Sequence, residues 1–283
     1  MSQLVKKIRT DQGDLQIDYN ALANLPTISN PNLLINGDFR NPVNQRGKKV
    51  YEFISGWTYT VDRWRIFNNM TVTVNDTGTI TLAKNHNEQT HFMQMLERRD
   101  VPGEYTLSFK VKSMTGTMSA YIEDGNSALV TVTQPGIYEV HTSARANGAT
   151  FRLEGTNTSV ELEWVKLEAG HTATPFVPRL YAEEVALCQR YYESRTIIFI
   201  PIGGTSPYYN YVAVNGGQHL VEMRITPNVV IGSLYDENGA ESNVTVKANT
   251  RNEQSFRSIS LNDTDKCAAR MLRGIIAFDA EIY

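Results

Sequence analysis

The chain has 283 residues, 41% hydrophobic and 20% charged, which excludes a disordered protein and leaves room for two modest folded domains. Its formal charge of −3, from 27 basic and 30 acidic residues, gives no basic face for nucleic acid. No apolar run approaches the ~20 residues of a membrane span. The opening MSQLVKKIRTDQGD lacks the apolar core of a secretory signal, so neither membrane insertion nor export is expected.

Residues 1–31 hold too few large apolar side chains to bury a core. Leu15, Ile17 and Tyr19 alternate with Gln16 and Asp18, the period of one short strand, and residues 20–24 predict a helical turn before Pro26. A lone strand is unstable. The segment therefore reads as an arm that pairs with another chain, with a loose tail as the alternative.

Residues 32–178 read as all-β. Strands are expected at Arg63–Phe67, Thr71–Val74, Thr79–Ala83, Phe92–Glu97, Gly103–Ser113, Thr117–Glu123, Ser127–Thr133, Gly136–Ala144, Ala149–Glu154 and Val160–Glu168. YTLSFKVKS alternates most clearly, with Tyr105, Leu107, Phe109 and Val111 on one face. So many short antiparallel strands in one domain predict a jelly roll or β-sandwich. In the last strand Val160, Leu162 and Trp164 share a face, and the parity then shifts so that Val165 and Leu167 continue the apolar series. That shift predicts a β-bulge.

A linker, residues 179–195, contains the one convincing helix, Ala182–Glu193. Val185, Cys188, Tyr191 and Tyr192 form its stripe and are the expected oligomer or domain interface. Two cysteines, Cys188 and Cys267, are too few for a stapled secreted domain and predict buried free thiols in a chain folded in a reducing cytoplasm. Residues 196–283 return to β pattern as a second, small sandwich. Its strands are expected at Ile197–Pro201 (a fully buried one), Tyr208–Val214, His219–Ile225, Asn228–Tyr235, Asn243–Lys247, Arg257–Leu261 and Arg273–Tyr283. Its size favours burial against partners.

No nucleophile elbow, phosphate loop, dinucleotide fingerprint or EF-hand loop is present. The histidines of HNEQTH (His86 and His91) have the wrong spacing for zinc on a helix. Glu161 and Glu163 lie about 6.8 Å apart along one strand face, near glycosidase spacing, but a glycosidase needs its carboxylates facing each other across a cleft. No catalytic residue, cofactor or metal site is expected. A calcium ion held around Asp124, Asn126 or Asp263 stays open. The aromatic residues carry more information, because Tyr and Trp pair a flat apolar face with a hydrogen-bonding tip. Two clusters are the candidate glycan-binding residues: Trp57 and Tyr59 in an expected loop, and Tyr208, Tyr209 and Tyr211. Trp64 and Trp164 read as core plugs.

Several stretches together resemble tail-fibre and receptor-binding proteins of tailed bacteriophages. TDQGDLQIDYNALANLPTI resembles their N-terminal attachment segment. NLLINGDF (Asn32–Phe39), QRG (Gln45–Gly47) and DRW (Asp62–Trp64) look like the opening of a carbohydrate-binding-module-like sandwich. LEWVKLEAGHTATPFVPR is similar to its closing strand and exit. EEVALCQRYYE, VEMRITPNVVI and the closing FDAEIY are similar to the C-terminal half of such fibres. The resemblance implies a homotrimeric, non-enzymatic virion protein. Residues 1–31 would attach to tail or baseplate proteins, and the distal C-terminal β-domain would contact the host surface. The resemblance does not fix the ligand, and a host surface polysaccharide is the partner that the aromatic clusters favour. The alternatives are a tail-borne depolymerase and a purely structural collar or baseplate spacer.

Overall fold

The computed structural model describes residues 7–10, 13–16, 29–53, 55–123, 129–205, 208–213, 219–236, 238–239, 241–242, 244–251, 256–263 and 271–281. Expectations placed on residues 20–24, Asp124, Asn126 and Cys267 lie outside these residues. The fold is mainly β and antiparallel, with one curled sheet, one short helix and a second, smaller sheet among the described residues.

The arm holds a hairpin where a single strand was expected. β1 (Lys7–Thr10) pairs antiparallel with β2 (Gly13–Gln16), placing Leu15 opposite Ile8. The isolated strand's need for a partner is met by the chain itself.

The large sheet contains β3 (Val50–Phe53), β4 (Trp57–Tyr59), β5 (Arg65–Phe67), β6 (Met70–Asn75), β7 (Thr79–Lys84), β8 (Thr90–Met95), β9 (Tyr105–Ile122), β10 (Val130–Val132), β11 (Gly136–Thr142) and β12 (Gly148–Ala169). Where a long loop was expected around Trp57, two short strands occur. They are the outermost strands of the sheet order β3-β6-β7-β12-β8-β5-β4, and three or four residues are too few to show a period. The expected pairs of strands at 103–123 and 149–168 are each one strand, the 18-residue β9 and the 22-residue β12.

These two strands form a ribbon that serves both layers. The first half of β12 pairs with β8 and its second half with β7, while β9 runs along its other edge. The ribbon bends at a register shift between Glu154 and Ser159, where Gly155 and Asn157 take positive φ. Opposite them Gly116 has φ +79, and a Cβ there would run into Thr158, so only glycine fits. The bend brings Phe109 of one half against Phe151 of the other, ring centroids 5.0 Å apart. Between the halves lies a core that includes Phe39, Trp64, Phe92, Leu107 and Leu162. Trp64 stacks on Phe92 at 4.7 Å.

The expected bulge lies slightly earlier than the sequence placed it. Leu162 pairs with Val111 and Trp164 with Lys110, leaving Glu163 without a partner in the register. The consequence is a correction: Trp164 does not share the core face of Val160 and Leu162. It is buried outside that core, stacked at 4.8 Å on Phe176 of the segment leaving the sandwich. Lys166 and Glu168 lie buried under the same covering segment.

Helix α1 (Tyr181–Gln189) ends four residues before the expected Glu193. The backbone there is claimed by pairing: Tyr192 opposes Asp279 and Glu193 opposes Phe278. Of the expected stripe, Cys188 and Tyr191 are buried, while Val185 and Tyr192 are only half-buried. Glu184 is the other buried residue of the helix.

The second sheet has the order β16-β15-β19-β13-β14-β18-β17. It is built from β13 (Tyr192–Thr205), β14 (Tyr208–Ala213), β15 (Asn228–Tyr235), β16 (Glu241–Ser242), β17 (Val244–Arg251), β18 (Phe256–Asp263) and β19 (Leu272–Asp279). Two expectations fail here. Residues 219–225 form bends, with Met223 inserted into the small core beside Ile197, Phe199 and Phe278. The TIIFIP run is not buried on both faces, since Ile197 and Phe199 are buried while Ile198 and Ile200 are 37% and 39% exposed. Among the described residues only one face of this antiparallel sheet is covered, so exposure follows the period of two.

Candidate functional site

The three short motifs at the start of the sandwich meet at one junction. Asn36, at φ 60, accepts from the Val43 amide and donates to the carbonyls of Val43 and Asp62. Trp64 Nε1 donates to the Asn36 carbonyl at 2.8 Å. Arg46 reaches Asp62 at 3.0 Å and Glu281, beyond β19, at 3.5 Å, and its guanidinium lies 3.7 Å from the Tyr192 ring centre. Arg63 pairs with Glu281 at 2.7 Å, donates to the Met95 carbonyl and covers the Tyr191 ring at 3.7 Å. Arg63 holds φ 72, a left-handed backbone unusual for a side chain of this size.

This junction bolts the helix and the end of the second sheet onto the sandwich. Tyr191 Oη and Arg190 both donate to Glu97, and Arg224 donates to the Ala280 and Glu281 carbonyls. Burial pushes the Asp62 carboxyl up to about 6, against the opposing pull of Arg46. Burial works against the charge of Arg46 too, but Glu281 and Asp62 outweigh it and hold Arg46 above its ordinary value. Burial raises the Cys188 thiol well above its usual range, so it is an inert packing group.

Beside the junction opens a polar cleft of about 170 Å³ lined by Arg46, Trp57, Thr58, Tyr59, Arg65 and Asp279. Trp57 stands at its edge, 41% exposed. Antiparallel pairing of β4 with β5 puts Trp57 opposite Phe67 and Tyr59 opposite Arg65. The indole packs on Phe67 at 4.7 Å, and the Arg65 guanidinium lies 4.3 Å from its ring centre. Arg46 approaches the Tyr59 ring at 5.4 Å. Burial pushes the Tyr59 phenol up to about 12, so it stays a neutral donor. The cleft thus combines an aromatic face, guanidinium donors and a carboxylate acceptor, which is the chemistry that a hydroxyl-rich ring needs.

Trp57 and Tyr59 come together as the sequence anticipated; the other cluster is elsewhere. Tyr208, Tyr209 and Tyr211 lie on β14, paired with the distal end of β13. Tyr208 opposes Thr205, whereas Asp279 opposes Tyr192, about 40 Å away along β13. One sugar cannot span both clusters. The side chains of β14 lie outside the described residues. Arg46, Arg65 and Asp279 were not singled out from the sequence, although Arg46 sits in QRG, Arg65 directly follows DRW, and Asp279 sits in FDAEIY.

Glu161 and Glu163 do not face each other across a cleft. Glu161 accepts from Thr79, Lys112 and Ser113, and Glu163 pairs with Lys110 at 2.9 Å. The Thr79 hydrogen bond, with Lys112 and Ser113 behind it, holds Glu161 below the usual carboxylate range. Among the described residues no cluster of His, Cys, Asp and Glu could hold a metal ion.

No protein-family model matches the chain, and no curated protein does. Among solved structures, the tandem CBM22-1–CBM22-2 domain of Paenibacillus barcinonensis Xyn10C aligns over 91% of this chain and 100% of its own, at 11% identity and TM-score 0.32. Discoidin II of Dictyostelium discoideum aligns over 94% of this chain and 99% of its own, at 12% identity and TM-score 0.22. Both likenesses are distant, and the description of the fold rests on the strands and cores given above.

Proposed function

We propose that this chain is a non-enzymatic, glycan-binding attachment protein of a phage tail. In this reading the sugar sits in the Trp57 cleft, and residues 1–31 join the protein to the tail or baseplate. The observation that carries the binding site is the half-exposed Trp57 face beside Arg46, Arg65 and Asp279. The virion role rests on the ordered motifs from NLLINGDF to FDAEIY. A screen of purified bacterial surface polysaccharides against the full chain tests the site. At least one polysaccharide is retained by the parent, and Trp57→Ala lowers that binding tenfold or more while Tyr209→Ala leaves it intact. Equal retention of parent and Trp57→Ala overturns the assignment of the cleft.

The same reading makes the protein a homotrimer whose avidity strengthens weak single sites. Its support is the face of the second sheet that no described residue covers, where Ile198, Ile200, Val230 and Ile275 are 37–56% exposed. Grouped apolar exposure of this kind marks an interaction surface. Light scattering is expected to give a trimer for the parent and a monomer for Ile275→Glu. A monomeric parent at micromolar concentration refutes the trimer.

A further inference from the structure

A second opening among the described residues is separate from the Trp57 cleft and shares no residue with it. It is a cavity of about 490 Å³ between the sandwich and the helix, reached by Leu187 and Tyr191 from the helical side and by Leu33, Leu96 and Val101 from the other. We propose that this cavity is a second ligand site, for a small amphipathic anion with an apolar body and a carboxylate, sulfonate or similar head.

Size and lining set the body of the ligand. The volume falls within the ~300–1,000 Å³ of small-molecule sites. The wall is mostly apolar, from aliphatic side chains with Tyr105 and Tyr191, and Leu33 remains 38% exposed where it borders the space. Charge sets the head. The wall holds three guanidiniums, Arg63, Arg98 and Arg179, against one carboxylate, Glu97.

Two of these four charged groups are fully engaged. Arg179 donates to the Leu34 and Asn32 carbonyls and to Glu184. Glu97 accepts from Arg190 and Tyr191. The other two have donors to give. Arg63 is 2% exposed, and its Nε has no hydrogen-bond partner among the described residues. Arg98 makes no hydrogen bond or ion pair among the described residues. A buried donor left unmet is costly. An anion satisfies it, a neutral hydrocarbon does not, and a cation is repelled by the guanidiniums.

The test uses the anionic fluorophore 1-anilinonaphthalene-8-sulfonate with the full chain. Saturable binding at one site is expected, with the dye displaced by octanoate. Ala169 lines the cavity with an exposed side chain, so Ala169→Trp fills the space and lowers dye affinity tenfold or more. Arg98→Glu lowers it several-fold. Trp57→Ala and Ile275→Glu leave it unchanged, which separates this site from the glycan cleft and from dye adsorbed on the exposed sheet face. Circular dichroism checks that each variant is folded, and Leu33→Asp at the border serves if Ala169→Trp is not. Absence of saturable binding, or full binding by the folded cavity variant, overturns the proposal.

Discussion

Replacing Arg63 by Met is expected to lower stability by about 3–5 kcal/mol, a fall of roughly 6–20 °C in melting temperature. Both partners of the pair are almost fully buried, with 2% and 0% of the two side chains exposed. Removing the cation leaves Glu281 with the longer Arg46 contact at 3.5 Å and the backbone amide of residue 63 at 3.3 Å, and deprives the Met95 carbonyl of the guanidinium donor. It also strips the cover from the Tyr191 ring. The double variant Arg63→Met/Glu281→Gln is expected to cost clearly less than the sum of the single changes, because neither then strands a buried charge. Thermal melts of the three variants check this. Additive losses would mean that the pair is not the element that holds the helix and the end of the second sheet on the sandwich.

Lys166→Met should cost a similar amount, about 3–5 kcal/mol. Lys166 Nζ lies 3.1 Å from Glu168, with 1% and 0% of the side chains exposed. It also donates to Ser29 Oγ, to Thr174 through Oγ1 and the carbonyl, and to the Pro175 carbonyl. Without it, Glu168 keeps only the amide and hydroxyl of Thr174. The segment over the outer face of β12 then loses its anchor, so Trp164 and Phe176 should become accessible along with it. Denaturant titration gives the loss, and a red shift of tryptophan emission reports the uncovering. A cost under about 1 kcal/mol, the range of surface pairs, would show that the pair is not buried in solution.

Both sites explain what was legible in the sequence. Strands with clear alternation, such as β9 from Tyr105 to Val111, could be placed from their period, and β15 from the Pro before it and the Asn-Gly after it. Period reads the polar run from Glu154 to Ser159 as a gap between two strands, whereas it is a bend within the 22 residues of β12. By the same period Lys166 and Glu168 fall on the face opposite Val165 and Leu167, away from the core. They are dry because Phe176 and the chain around Thr174 fold back over them, a contact made far from any local signal. The motifs DRW and QRG were recognisable as text, but their role as two arginines sharing Glu281 needs a residue just beyond the closing strand, 218 residues away from Arg63. The aromatic cleft was half legible. Trp57 and Tyr59 stood out by type, whereas Asp279 joins them only because β19 pairs with the start of β13.

The glycan cleft can be tested most directly through its own tryptophan. Trp64 is fully buried and Trp164 is 9% exposed, so Trp57, at 41%, dominates any change in indole emission caused by a ligand in water. Titrating the full chain with a retained polysaccharide should shift and saturate that emission at the concentration at which binding saturates. Trp57→Phe is expected to remove the emission change, while Tyr208→Ala leaves both emission change and affinity as they were. An unchanged emission shift in Trp57→Phe, or loss of binding in Tyr208→Ala alone, would contradict a glycan site at Trp57.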